Sequence, residues 1–324
     1  MKKIKNKEKK ENKKMCLAIG EVVIDEIILL YDEIILSQKI EKADHQISIG
    51  GPSCAGAVYW RNAGFDVTFI TSLGNDSDSK FIIDYLDSKR INLIINRSLK
   101  TQKNHVIVEL KNGRRTIIRD KIEKTQININ NKLIESIKSA DIIYLDRHYN
   151  YLIETILKHK KSNSILIFDP STDASELNIK ILSQIEHPIV PWEFVVNFYN
   201  NAKLSLYEML IEFYKYLNKT YIVTLGEYGS LIVEESGCIL FPSYKIEKCI
   251  DTCGAGDIFR ASFGHSLLEG KNIYEAIDFA NKVAALQCTR IGNVNAIPSL
   301  EDIKNTNLQK NYYNKEEILL KLKL

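Results

Sequence analysis

Apolar residues along this chain gather into short continuous runs separated by longer stretches of helical period. The runs CLAIGEVVID (16–25), DVTFITSLG (66–74), ADIIYLD (140–146), SILIFDP (164–170), HPIVP (187–191) and TYIVTLG (220–226) are rich in β-branched residues and lack clean alternation. That is the pattern of strands buried on both faces. Between them, 76–89, 130–139, 149–160 and 203–218 repeat apolar residues at helical spacing. Strands alternating with helices predict a mostly parallel central sheet with helices on both sides, a three-layer α/β/α domain.

Two segments break the rhythm. EIILLYDEIILSQKIEKADHQISIGG (26–51) and NHVIVELKNGRRTIIRD (104–120) have strand character with no helix between the strands. The second holds Asn112-Gly113, the dipeptide favoured in a type I′ hairpin turn. Together they predict a small antiparallel sheet set apart from the main one, with strands in about 26–49 and 104–120, placed as a lid on a ligand crevice. Its exposed edge invites pairing between two chains, so a homodimer through the lid is an expectation. No internal repeat is visible, and NKEEILLKLKL at the end reads as an amphipathic helix. The domain reading is therefore a tail over 1–14, one α/β domain over 15–310 and a helical extension over 311–324.

Composition narrows the class. With 324 residues, 45% hydrophobic and 26% charged, the chain can bury a large core. No run reaches the eighteen or so apolar residues of a membrane span, and no apolar leader is present, so the expectation is a cytoplasmic protein without a membrane partner. The net charge of +3 hides an asymmetry: MKKIKNKEKKENKK (1–14) holds eight lysines and two glutamates, 8 − 2 = +6, which leaves −3 for the rest. The tail reads as solvated and disordered, and the remainder argues against a nucleic-acid surface. Six cysteines form no CxxC pair, which reads as reduced thiols rather than a zinc site.

Three glycine-bearing stretches carry candidate chemistry. In DTCGAGDIFRASF (251–263), apolar residues take up a helical stripe from about Asp257, and Gly254-Ala255-Gly256 leave the first N–H groups of that helix unobstructed. Such a terminus holds anions. An aspartate there suits a base beside the anion hole, taking a hydroxyl proton while the amides stabilise a phosphoryl group; a plain helix cap is the alternative. ISIGGPSCAGAVYWRNAG (47–64) opens a second helix behind Gly50-Gly51. Gly51 and Gly56 have Walker A spacing, but Ala57-Val58 stand where Lys-Ser/Thr is required, so close backbone approach to a polyhydroxylated ligand fits better. VTLGEYGS (223–230) ends a strand with Thr224, Gly226 and Gly229, a place where α/β sheets hold ligands. Arg114 and Arg115 flank the predicted hairpin turn and face the crevice if the strand phase is right, with solvent exposure the default. Arg147-His148 sit at a strand end, where a ligand contact is open and a structural histidine is the default.

Together these stretches resemble the PfkB/ribokinase family of carbohydrate and nucleoside kinases. DTCGAGD is similar to the family's C-terminal DTxGAGD signature, GGPSCAGAVYWRNAGFDVTFITSLGND to its N-terminal glycine signature, and TLGEYGS to its nucleotide turn. The resemblance spans 16 to about 300 and implies a ribokinase-like fold and transfer of the ATP γ-phosphoryl group to a sugar hydroxyl, of ketose or furanose type. It implies Asp257 as base, with Gly254, Ala255 and Gly256 forming the anion hole. Asp25, Gly50 and Gly51 are implied for substrate; Arg115 joins them as a candidate from its place beside the lid's hairpin turn. Thr224, Gly226, Gly229 and Asn281 are implied for the nucleotide. Asp251 is implied for a monovalent cation such as K⁺, and Mg²⁺ arrives with ATP. Three departures stand out: Ala55 replaces a small polar residue; Arg260 replaces asparagine or histidine, to receive an acidic or phosphorylated substrate or to form an ion pair; and VPWEF puts Trp192 into the NxxE segment that helps order Mg²⁺ and phosphate, with Glu193 as the stand-in acid. A nucleoside kinase and a non-catalytic sensor of the same fold are the competing expectations.

Overall fold

The computed structural model describes residues 13–111, 114–122, 125–200 and 203–322. The first strand, β1 (Met15–Ile19), leaves the core at Gly20 and the chain forms β2 (Val23–Leu30) and β3 (Lys42–Gly50) in a separate sheet. Helix α1 (Pro52–Asn62) leads back to β4 (Asp66–Leu73), and α2 (Ser77–Ser88) to β5 (Asn92–Arg97). A second excursion gives β6 (Gln102–Glu109) and β7 (Arg115–Arg119). The strand–helix rhythm then resumes with α3 (Asn131–Ser139), β8 (Ile142–Asp146), α4 (Ile153–His159), β9 (Ile165–Asp169), α5 (Glu176–Gln184), β10 (Ile189–Pro191) and α6 (Trp192–Tyr199). After α7 (Leu206–Leu217) come β11 (Tyr221–Thr224) and the hairpin β12 (Gly229–Glu234) and β13 (Gly237–Pro242). Helices α8 (Ala255–Leu268), α9 (Ile273–Gln287), α10 (Leu300–Asn305) and α11 (Lys315–Lys321) complete the chain.

Local chemistry sets the helix starts. Asp76 with Ser79, Ser205 with Glu208 and Asn272 with Glu275 form reciprocal capping boxes at α2, α7 and α9. Alternate residues of the central strands then feed two cores. Cys16, Ala18, Ile142 and Tyr144 face α1, α8 and α9, while Leu17, Ile19, Ile143 and Leu145 face the layer of α3 to α7. Ile318 and Leu319 of α11 are buried in that second core. The three-layer α/β/α reading is therefore what the structure shows.

The central sheet is parallel, in order β5-β4-β1-β8-β9. The chain winds outward from β1 to β5, then restarts on the other side at β8. The switch point thus lies between β1 and β8, and in open α/β sheets ligands bind beyond the strand ends there. A second sheet, β10-β11-β12-β13, is parallel at β10/β11 and antiparallel in its hairpin.

The lid sheet has order β3-β2-β6-β7. Its outer pairs β2/β3 and β6/β7 are antiparallel as expected, and its central pair β2/β6 is parallel because the two excursions leave the core in the same direction. Ile27, Leu29, Val106 and Val108 form its own small core. The run 16–25, read as one strand, is corrected here. It splits at Gly20 to Val22, where the Glu21 N–H donates to Asp146 Oδ2 at 2.7 Å, and its second half belongs to the lid. Both halves are equally apolar, so hydropathy gave no sign of the break. The turn at Asn112-Gly113 and residues 1–12 of the tail lie outside the described residues. Among the described residues no helix is long and apolar enough to cross a membrane.

Candidate active site

A cavity of about 410 Å³ opens at the switch point, between the strand ends and the lid. Asp25, Gly51, Arg115, Thr224, Gly254, Gly256 and Asp257 all border it, although they come from five distant parts of the chain. The first turns of α1 and α8 both open onto this space.

At α8 the helix starts at Ala255, two residues before the expected Asp257, and the cap is Gly254 in the left-handed region at φ 75°. Asp257 therefore sits inside the first turn and is not the cap. Among the described residues only the Ala255 N–H of this turn has a backbone acceptor, Thr252 O at 3.3 Å; the amides of Gly254, Gly256 and Asp257 have none. The loop is braced from below by Asp251, whose Oδ1 accepts from Cys253 N and Oδ2 from Gly292 N, both at 2.9 Å. Unpaired amides beside a carboxylate are the arrangement that stabilises a phosphoryl group and accepts a proton from its acceptor.

Asp257 keeps its carboxylate free of the neighbouring peptide nitrogens. Its Oδ2 accepts from Asn293 Nδ2 at 3.0 Å. Burial and the nearby Asp169 carboxylate push its pKa up to about 6, against the pull of Arg260, Asn293 and Arg115. A carboxyl at that value is mostly ionised above pH 6, in the range that would suit a general base. Activity is accordingly expected to rise with pH through about 6. Asn293→Leu removes a donor that favours the charged form, so the acid limb of a kcat/KM profile should move up by about one pH unit, the equivalent of ~1.4 kcal/mol. An unmoved limb would separate Asp257 from the titration.

At the lid side, Asp25 on β2 is buried and accepts from Asn104 Nδ2 of β6 at 2.8 Å. Burial pushes it, too, up to about 6. Gly50 lies against it: a Cβ there would come within 2.2 Å of Asp25 Oδ2. Gly51 caps α1 at φ 110°, and a Cβ would strike the Glu21 carbonyl oxygen at 2.2 Å. The paired glycines thus let α1, Asp25 and the end of β1 meet. Arg115 is exposed as a residue; burial of its guanidinium pulls its pKa down, but Cys253, Asp251 and Asp257 beside it outweigh that and raise it.

On the other side of the Gly254 turn lies a second cavity of about 440 Å³, bordered by Gly226, Gly229, Ala255 and Asn281 and by Tyr244, Cys288 and Tyr313. Thr252 borders both cavities. Asn281 Nδ2 donates to Ser230 Oγ and Phe241 O, both at 3.0 Å, so it shapes this wall from behind. The remaining predicted residues fall elsewhere. Glu193 opens α6, half-buried with its pKa raised by burial, and borders neither cavity; Asp251 lies under the loop. Among the described residues no group of three or more acidic, histidine or cysteine side chains is placed to hold a metal.

Several cavity residues were not singled out from sequence. Asn293 and Asn104 orient the two aspartates. Asp169 pairs with the buried Arg260 at 3.2 Å, settling that departure as an ion pair inside the chain, while Arg260 Nη1 also donates to Gly256 O at 3.1 Å. Glu21, Asp146, Arg119, Arg147 and His148 form a further group beyond the ends of β1, β7 and β8. Of this group Arg147 and His148 were noted from sequence at a strand end, whereas Glu21, Asp146 and Arg119 were not.

The geometry is that of an α/β phosphotransferase site, with an acid and bare amides between two cavities. A family model for the pfkB family of carbohydrate kinases matches residues 13–300, and the chain belongs to that family. A ribokinase of Dictyostelium discoideum is 27% identical over 303 residues, covering 83% of this chain and 92% of its own. The structure of Arabidopsis thaliana ribokinase complexed with ribose and ATP superposes with a TM-score of 0.75 at 20% identity, covering 90% of this chain and 97% of that one. A Burkholderia thailandensis nucleoside kinase in complex with inosine gives 0.70 at 16% identity, covering 89% and 94%. The solved structures show the ribokinase-like fold, and the family model makes the chain a member of the pfkB carbohydrate kinases.

Proposed function

We propose that the chain transfers the γ-phosphoryl group of ATP to a hydroxyl of a ketose or furanose-type sugar, with Asp257 as the base. The sugar takes the first cavity, held by Asp25 and the backbone at Gly50 and Gly51. The nucleotide takes the second, along Gly226, Gly229 and Asn281, with Thr224 beside the path of its phosphates. Asp257 accepts the hydroxyl proton, the sugar oxygen bonds to the γ-phosphorus, and the bond to the β-phosphate oxygen breaks to release ADP. The amides of Gly254 to Asp257 and the Arg115 guanidinium face the charge that develops on the moving group. The observation that carries the reading is that Asp257 and these amides lie at the one turn separating the two cavities.

Mg²⁺ enters this reading with ATP, since the described residues supply no cage of their own. A K⁺ beside Asp251 is part of the proposal. Cys253 O and Asn293 O accept from Gln287 Nε2 at 3.1 and 2.8 Å and each Asp251 oxygen accepts one amide, so all four keep acceptor capacity. Gln287 Oε1 is buried without a partner among the described residues, which supports a cation beside this brace. Exchanging K⁺ for Na⁺ is therefore expected to lower kcat more than about twofold; unchanged turnover would remove the cation from the reading. A homodimer remains part of the proposal, supported by the exposed Ile118 on the lid's β7.

The function is tested by ADP release over ribose, fructose, fructose 6-phosphate, deoxyketogluconate and adenosine. Turnover with a sugar supports the reading. Turnover with adenosine alone assigns a nucleoside kinase, and ligand binding without ADP release assigns a sensor.

A further inference from the structure

We propose that the acceptor carries a second, anionic group, a phosphate or a carboxylate, held by Arg147 and Arg119 at the end of the first cavity away from Asp257. This rests on the phosphotransfer reading only for which end of the ligand reacts.

The site is assembled by topology. Glu21 follows β1, Arg147 and His148 follow β8, and Arg119 ends β7 over them. Glu21 pairs through Oε1 with Arg119 Nη2 and through Oε2 with His148 Nε2 at 3.2 Å. Arg147 borders the same cavity, is half-buried, and makes no hydrogen bond or ion pair among the described residues. Glu21 thus holds Arg119 and His148, and Arg147 brings a second guanidinium to the same cavity wall. Asp146 lies beneath with its oxygens taken by the amides of Glu21 and His148. Burial and Glu21 push it up to about 7, so near neutral pH it is only part ionised, and the oxygens it offers are already held by those two amides.

The other charges bordering the cavity have assigned neighbours. Asp169 holds Arg260, Asp25 takes Asn104, and Asp257 takes Asn293 with Arg115 nearby. Arg147 is left as a half-buried cation with no carboxylate within ion-pair distance among the described residues, a position that an anion would improve. Its planar fork suits the oxygens of a phosphate or carboxylate. The lid extends the argument: Arg115, Ile117 and Arg119 alternate onto the cavity face of β7. Arg115 serves the reacting end, and Arg119 stands four residues on, about 13 Å along the strand by its rise. Asp146 and Asp169 are register partners on neighbouring strands, so the cluster lies across the strand ends from Asp257 and its neighbour Asp169. A neutral sugar offers hydroxyls to Asp25 and Asp257 but no charge to Arg147.

Calorimetric titration without ATP tests this apart from catalysis. The probes are fructose against fructose 6-phosphate, ribose against ribose 5-phosphate, and glucose against gluconate. Wild-type protein is expected to bind at least one anionic sugar tenfold or more tightly than its neutral counterpart; the phosphate and carboxylate arms tell which anion is read. Arg147→Ala should lower that affinity ratio at least tenfold, and Arg147→Lys should restore part of it. Arg119→Ala should lower it too, with retained melting temperature as the check on folding. Equal affinity for neutral and anionic sugars overturns the proposal, as does an Arg147→Ala effect confined to the KM for ATP. Failure of the kinase reading would show separately, as absent ADP release despite sugar binding.

Discussion

Asp257→Asn is expected to lower kcat about 10³-fold while the affinities for sugar and nucleotide change no more than a few fold, on the usual contribution of a positioned base. The substitution keeps shape and leaves the amides of Gly254 and Gly256 in place, so binding and part of the phosphate stabilisation survive. Stability should move the opposite way. A carboxyl whose folded pKa is raised to about 6 from 3.8 binds more protons folded than unfolded, so ionising it above that value destabilises the fold. Its neutral replacement removes that cost, on the order of 1–3 kcal/mol at pH 8. An inactive protein with a higher melting temperature is therefore the expected result, and the gain should shrink as pH falls toward 4. A variant that retains turnover would remove Asp257 from the chemistry. One that loses both turnover and stability would assign it a structural role.

The sequence carried the layers because burial on both faces leaves a continuous apolar run, and it carried the lid because two segments lacked helices. The glycine turns were readable since a bare helix start needs small residues in consecutive places. The partners of the aspartates were not readable. Asn293 meets Asp257 across 36 residues and Asn104 meets Asp25 across 79, through contacts created by strand order rather than by any period. The cluster around Glu21 illustrates the same limit. It exists because β8 lies beside β1 instead of β5, and hydrophobic pattern does not encode that order. Arg115 needed the phase of β7, which a hairpin turn sets. Glu193 matched a motif by position alone, and α6 places it away from both cavities.

Gly254→Ala should lower kcat at least 10²-fold and cost about 1–3 kcal/mol of stability, as expected for a strained left-handed residue with a blocked Cβ. At φ 75° the added Cβ would lie 2.6 Å from Asn293 Oδ1, 2.9 Å from Asn293 Cγ and 3.0 Å from Gln287 Nε2. Asn293 cannot yield without withdrawing its Nδ2 from Asp257, and Gln287 cannot yield without releasing Cys253 O and Asn293 O. One methyl group therefore disturbs the base, the loop carrying the bare amides and the brace beneath both. Gly256 provides the contrast two residues on. It lacks a positive φ, and the nearest atom to its added Cβ is Arg260 Nη1 at 3.3 Å, so Gly256→Ala should keep the melting temperature near wild type. Thermal melts and steady-state kinetics on the pair separate the two causes. If Gly254→Ala melts and turns over like the wild type, the turn is not the rigid part that holds acid and amides in register.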